Sequence, residues 1–181
     1  GVCHLQLMYR NMGVSFGVDL IAQFYYWYLV LMGSGKNEGI VSRTLSSVGY
    51  RLCQIQVCII YAYSGLEKLK GQDWWTGLAI WDVVANVQLV SLDYSLLAWF
   101  IPALVVMAYV TLLWEIYFPV MVWNKQCKPW VLGFGVLFHA GIAVTVNIPF
   151  FSALMISFYL LFIDPSEINL RFLRGRSKSL V

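Results

Sequence analysis

The sequence predicts an all-α fold: a polytopic transmembrane helical bundle with an interfacial or re-entrant helix. The first observation is the composition, because 60% of the 181 residues are hydrophobic and only 12% are charged, whereas charged residues make up roughly a quarter of a soluble domain. The second is a series of apolar runs near the ~20 residues that a helix needs to cross a bilayer. The net charge of +3 is small, and the basic residues lie in short patches between these runs. We therefore expect the lipid bilayer, and no nucleic acid, as a partner.

The first half of the chain contains two predicted spans and one shorter element. Residues 14–32 form the first apolar run and residues 47–69 the second. Residues 74–93 begin with paired tryptophans but are interrupted by polar residues, among them Asp82 and Asn86. Because unpaired polar groups are costly within the hydrocarbon, this third segment is predicted to be the interfacial or re-entrant helix.

The second half contains three further apolar runs, over residues 94–123, 129–147 and 150–163. The last has only 14 residues, which is short for a full span. We assign residues 1–165 to one transmembrane domain and residues 166–181 to a basic tail. Because the chain opens without an initiator methionine or a signal peptide, we expect the amino-terminal part of the domain to be missing.

The distribution of basic residues predicts the orientation. Lys125 and Lys128 lie in one short connection, and further arginines and a lysine lie in the tail. A pair of helices separates these two clusters, so both can lie on the cytoplasmic side. Tracing the chain back from there, the second span runs outward and brings Lys68, Trp74 and Trp75 to the extracytoplasmic face.

Lys68 is the first candidate for a functional residue. It repeats with Tyr61 and Ser64 on one face of the predicted helix. A lysine at a helix end can reach the interface as an anchor, pair with a nearby acid, Glu67 or Asp73, or act as a base once removal from water favours its neutral form. These alternatives stay open, with Lys70 as the better anchor.

Glu115 and His139 are the other candidates. Glu115 lies inside a long apolar helix, where an unpaired charge is costly, so it is either hydrogen-bonded to a neighbouring helix or part of a site. His139 lies midway along its helix, among Gly133, Gly135 and Gly141, which allow another backbone to approach. A lone membrane histidine is more often a structural hydrogen bonder, and no metal site is predicted because the chain has only one other histidine.

Three stretches carry a family resemblance. They read RNMGVSFGVDLIAQFYYWYLVLM, IIYAYSGLEKLKGQDWWTGLAIW and FHAGIAVTVNIPFFS. They resemble the HTTM domain, the membrane module shared by vitamin K-dependent gamma-carboxylases and many bacterial proteins. The match is closer to the bacterial stand-alone type, which implies a location in the bacterial inner (plasma) membrane.

The resemblance implies an extracytoplasmic-facing active site within the bundle. In the carboxylase, a lysine of the matching segment is regarded as the base that deprotonates reduced vitamin K. Lys68 occupies that position and His139 matches a histidine of the family, so these two are the predicted catalytic residues. Tyr61, Ser64 and Glu115 are predicted to bind substrate or cofactor, and the resemblance implies a reduced quinone such as vitamin K as the cofactor.

The predicted function is to modify or mature a secreted peptide or protein, by gamma-carboxylase-like carbon–carbon bond formation or by another maturation activity. A secreted peptide substrate and a partner subunit are the expected partners. The carboxylase has adjacent lysines where this chain has Glu67 and Lys68, and its substrate-gripping region has no counterpart up to Val181. The alternative is therefore a non-enzymatic bundle that acts as a partner subunit, scaffold or transporter.

Overall fold

The computed structural model describes residues 17–33, 39–86, 95–146 and 148–163. Within these ranges every regular element is helical and no strand occurs, which confirms the predicted all-α class. The α-helices are α1 (Gly17–Gly33), α2 (Ile40–Lys68), α3 (Gln72–Thr76), α4 (Ala79–Ala85), α5 (Ile101–Met121), α6 (Lys128–Thr145) and α7 (Pro149–Phe158). Short 3-10 helices cover Ser95–Phe100 and Tyr159–Phe162, directly before α5 and after α7.

The long apolar runs become helices close to their predicted bounds, but α2 begins at Ile40 rather than at residue 47. The added turns contain polar residues among apolar ones. Their hydroxyls bond back to the preceding turn, since Thr44 Oγ1 donates to the carbonyl of Ile40 and Ser46 Oγ donates to the carbonyl of Ser42, both at 3.0 Å. Because these polar side chains are satisfied within the helix itself, they do not end it.

The third predicted element consists of two short helices rather than one. Gly77 separates α3 from α4 and has a φ angle of 78°, in the left-handed region. That conformation ends a helix readily when the residue is glycine, since glycine has no Cβ to clash. The carboxyl part of the predicted segment, residues 87–93, lies outside the described residues.

The fold places α2 between α1 and α5. On the α1 side, the hydroxyl of Tyr25 donates to the carbonyl of Cys53 at 3.1 Å. The 3-10 turn after α7 also contacts α2, because Tyr50 and Gln54 both donate to the carbonyl of Leu161. This central position of α2 puts one of its faces inside the bundle along much of its length.

Basic residues gather at one end of the bundle, which we call the basic end and define by Arg51, Lys125 and Lys128. The guanidinium of Arg51 lies 6.0 Å from the ring centre of Trp123, which follows α5. The two lysines belong to the turn between α5 and the first residue of α6. The last residue of α2, Lys68, therefore lies toward the opposite end.

Two of the described helices are long and apolar enough to cross a membrane, Ala98–Met121 and Lys128–Thr145. The outer surface of the bundle carries large exposed apolar side chains, for example Trp130, Leu137 and Phe150. Extensive apolar surface of this kind fits contact with lipid better than contact with water.

Candidate functional site

A cavity of about 480 Å³ lies between α2, α4, α5, α6 and α7. Its walls are mostly apolar, with a small number of polar groups, which is the usual character of a small-molecule site. All five site residues predicted from the sequence line it: Tyr61, Ser64, Lys68, Glu115 and His139. The fold thus brings together residues of three helices, while their chemical roles stay predictions.

Lys68 and Glu115 form an ion pair at this cavity. The Nζ atom of Lys68 donates to both carboxylate oxygens of Glu115, at 2.9 Å and 2.6 Å, and to the Oγ atom of Ser64 at 2.6 Å. Nζ also lies 5.3 Å from the ring centre of Trp74, within the range of a cation–π interaction. The structure shows the first alternative predicted for Glu115, a hydrogen bond to a neighbouring helix. A role of Glu115 in a functional site stays a prediction.

The alternative in which Lys68 pairs with its neighbour Glu67 is wrong. Glu67 instead binds Lys70, with 2.7 Å between Oε1 and Nζ. Successive residues of a helix point in different directions, and Glu67, unlike Lys68, is not among the residues that line the cavity. The hydrogen bond and the negative charge of Glu67 raise the pKa of the exposed Lys70.

The local sequence explains how Lys68 reaches the cavity. Tyr61, Ser64 and Lys68 are spaced by three and four residues and so share one face of α2. Gly65 lets α5 approach this face closely, because a Cβ atom there would lie 2.8 Å from Cγ1 of Ile116. That approach places the carboxylate of Glu115 within reach of Nζ.

A second cluster of polar side chains, formed by Tyr61, His139 and Tyr159, is more deeply buried. The hydroxyl of Tyr61 bonds to Nε2 of His139 at 2.8 Å and also to the hydroxyl of Tyr159. Of the three glycines near His139, only Gly135 has a close neighbour, and this neighbour is a side chain rather than the predicted backbone: a Cβ atom there would lie 2.6 Å from Cζ of Tyr159. At Gly133 and Gly141 a Cβ atom would meet nothing within 4 Å, so the prediction is wrong for both positions.

Two buried polar atoms of cavity-lining residues have no hydrogen-bond partner among the described residues. They are Nδ1 of His139 and Oγ1 of Thr111. A buried polar group without a partner costs free energy. A bound molecule with polar atoms at these positions would satisfy them.

Sequence reasoning missed Tyr159 and Thr111. Each is a hydroxyl residue within an otherwise apolar run, and each is buried. A hydroxyl residue in an apolar run could have indicated both positions, because a buried hydroxyl needs a hydrogen-bond partner.

The structure and the site define a helical, membrane-associated protein with a mostly apolar cavity between its helices, lined by one ion pair. The family model of the HTTM domain matches residues 32–166, three quarters of the chain. The chain therefore belongs to the HTTM domain family, as the resemblance predicted. No curated protein matches this chain, and no solved structure does.

Proposed function

We propose that this chain is a polytopic membrane bundle that modifies or matures a secreted peptide or protein, in the manner of the gamma-carboxylase membrane module, with Lys68 as the base. One observation carries the proposal: the amine of Lys68 turns into an apolar cavity and pairs there with Glu115, on another helix. A lysine that serves only as an interfacial anchor would extend toward the headgroups.

The cavity suits a molecule with an apolar body and a polar, hydroxyl-bearing head. The unpaired Nδ1 of His139 and Oγ1 of Thr111 fit additional oxygen atoms on such a molecule. A reduced quinone, the cofactor that the family implies, has this chemistry: when bound it supplies an acidic hydroxyl together with reducing electrons. Lys68, Glu115 and His139 are the residues that would hold it.

In this proposal each of the polar residues at the cavity has a separate role. Lys68 takes a proton at Nζ, Ser64 keeps the amine in place through its 2.6 Å contact, and Tyr61 fixes the ring of His139. The apolar walls exclude water, which protects reactive species and strengthens the electrostatic interactions within the cavity. Proton transfer to a positioned side chain typically contributes 10²- to 10⁴-fold in rate.

The proposed orientation has the basic end in the cytoplasm and the Lys68 end facing outward. The support is the gathering of Arg51, Lys125 and Lys128 at one end, since cytoplasmic connections carry an excess of basic residues. A secreted peptide would then meet the site on the side to which it is exported.

The test compares two lysines that lie two residues apart. In cells that depend on this chain, Lys68→Ala abolishes maturation of exported peptides, measured as their mass by mass spectrometry, while Lys70→Ala leaves it intact. Both variants are first shown to be present in the membrane at the wild-type level. Full maturation by both Lys68→Ala and Lys68→Arg contradicts a base at this position.

The non-enzymatic alternative gives a different pattern. If deleting the whole chain stops maturation but no substitution at Lys68 does, the chain acts as a partner subunit, and a pull-down in mild detergent recovers the catalytic protein. Transport would need a continuous polar path through the bundle, which the sequence predicts along Asp19, Gln54 and Glu115. The side chain of Asp19 lies outside the described part of the chain, and the other two residues contact different elements, so transport has less support. Gln54 bonds to the carbonyl of Leu161, and Glu115 bonds to Lys68.

A further inference from the structure

The ammonium group of Lys68 is held by hydrogen bonds to two side chains of the cavity. A lysine ammonium has three donors and no acceptor. Nζ donates to Ser64 Oγ and to the two oxygens of Glu115, at distances between 2.6 Å and 2.9 Å. In this arrangement Nζ has no lone pair to offer. Lys68 can therefore accept a proton from a bound molecule only after it has given one away.

Glu115 is the proton acceptor within reach. Its side chain is buried, lines the same cavity and has both oxygens within hydrogen-bonding distance of Nζ. The third partner of Nζ, the hydroxyl of Ser64, is a far weaker base than a carboxylate. The other ion pair that the described residues form, Glu67 with Lys70, is solvent-exposed and does not line this cavity.

The number of buried charges also favours Glu115 as the acceptor of the proton from Lys68. Separating new charges in a cavity of low dielectric constant is costly, whereas exchanging one ion pair for another is not. If Nζ passes a proton to Glu115, both groups become neutral. If the neutral amine then takes a proton from a bound hydroxyl, the new ammonium is paired with the new oxyanion. The cavity holds one cation and one anion before and after.

We propose that Glu115 stores the proton that Lys68 removes from the bound molecule. The hydroxyl O–H bond breaks and its electron pair stays on oxygen, while a new N–H bond forms at Nζ. The proton that left Nζ forms an O–H bond on Glu115, which becomes a neutral carboxylic acid. Lys68 ends as the ammonium partner of the oxyanion. This inference rests on the proposed function, because it assigns a second proton-carrying residue to the same site.

The experiment uses the full chain in lipid nanodiscs with 4-nitrophenol as the probe, because its phenol and phenolate forms differ in visible absorption. The pH is set so that most of the free probe is neutral. The wild type is expected to bind phenolate, and the infrared difference spectrum to gain one carboxylic acid band per bound probe. Glu115→Gln removes this band, Glu115→Asp retains it, and the matched control Glu67→Gln leaves it unchanged.

Proton release gives a second, independent reading. Wild-type protein is expected to release no proton into a weakly buffered solution when the probe binds, because Glu115 keeps it. The Glu115→Gln variant is expected to release one proton for every phenolate bound. Release of one proton for every phenolate bound by the wild-type protein contradicts a store at Glu115.

The outcomes separate this inference from the proposed function. Bound phenolate with no new carboxylic acid band in the wild type overturns the role of Glu115 and leaves Lys68 as the base. An absence of binding, binding as the neutral phenol, or equal phenolate binding by Lys68→Met contradicts the proposed function and the inference together.

Discussion

Two ion pairs lie at the end of α2, and only one of them has the surroundings of a functional site. Lys68 with Glu115 and Lys70 with Glu67 have almost the same shortest N–O distance, 2.6 Å and 2.7 Å. The exposed side-chain fractions are 23% and 4% in the first pair but 71% and 41% in the second. An exposed pair contributes little to stability, while a buried pair is costly to break. Burial, rather than distance, distinguishes the two.

The largest predicted effect comes from removing the lysine of the buried pair. Lys68→Met leaves the Glu115 carboxylate buried without its cation, and breaking a buried pair in this way costs 3–5 kcal/mol. Because Lys68 is itself partly exposed, we expect a loss near the lower limit, about 3 kcal/mol of unfolding free energy. The measurement is a denaturant titration in mixed micelles.

The matched control for that prediction is Lys70→Met. It removes a lysine from the same helix end but breaks only the exposed pair, so no measurable loss of unfolding free energy is expected. Equal losses for the two variants would show that the burial difference has no energetic consequence.

The next effect concerns the close packing behind the cavity. Gly135→Ala places a methyl group 2.6 Å from Cζ of Tyr159 and 2.9 Å from Cζ2 of Trp114, and overpacking of this kind costs about 1–3 kcal/mol. Gly133→Ala, in the same helix but with nothing within 4 Å, is expected to be neutral or stabilising by up to about 1 kcal/mol. A thermal unfolding series that ranks the two variants the other way would contradict this packing.

A loss of similar size is expected for Tyr61→Phe. The change removes the hydroxyl that links His139 to Tyr159, and leaving a buried polar partner unsatisfied costs about 1–3 kcal/mol. Tyr63→Phe changes an exposed tyrosine on the other side of the same helix and serves as the control. Unfolding free energies that are the same for both variants would argue against the buried link.

The smallest effect is a change of titration without a change of stability. Glu67→Gln removes the group that raises the pKa of Lys70, so this pKa is expected to fall toward its ordinary value. A raised lysine pKa contributes stability that is present below the ordinary pKa and is lost as the pH rises through the raised pKa, so any pH dependence of this contribution appears in alkaline solution. NMR titration of labelled lysine measures the shift, and an unchanged pKa would contradict the pairing.

The sequence predicted which residues share a helix face with Lys68, but it did not predict the ion-pair partner of Lys68. Periodicity put Tyr61, Ser64 and Lys68 on one stripe because that relation is local to a single helix. Glu115 lies 47 residues away, and no spacing rule reports which helix packs against which. The nearby Glu67 was therefore a reasonable but wrong partner.

The same limit explains the other differences. Tyr159 joins Tyr61 only because Gly135 allows a close approach that single-helix reasoning does not detect. The break between α3 and α4 depends on the left-handed conformation of Gly77, and a lone glycine in an apolar run permits that conformation without requiring it. Local sequence patterns were sufficient to predict the long helices. The arrangement of the site depends on contacts between helices, which those patterns do not report.

A double-mutant cycle between Lys68 and Glu115 tests the central claim most directly. Unfolding free energies are measured for the wild type, Lys68→Met, Glu115→Gln and the double variant, with Lys70→Met and Glu67→Gln as the parallel cycle. We expect a coupling of about 1–3 kcal/mol for the cavity pair, since residues in direct contact couple by 0.5–3 kcal/mol, and none that is measurable for the exposed pair. A cavity pair whose single effects simply add would contradict the account.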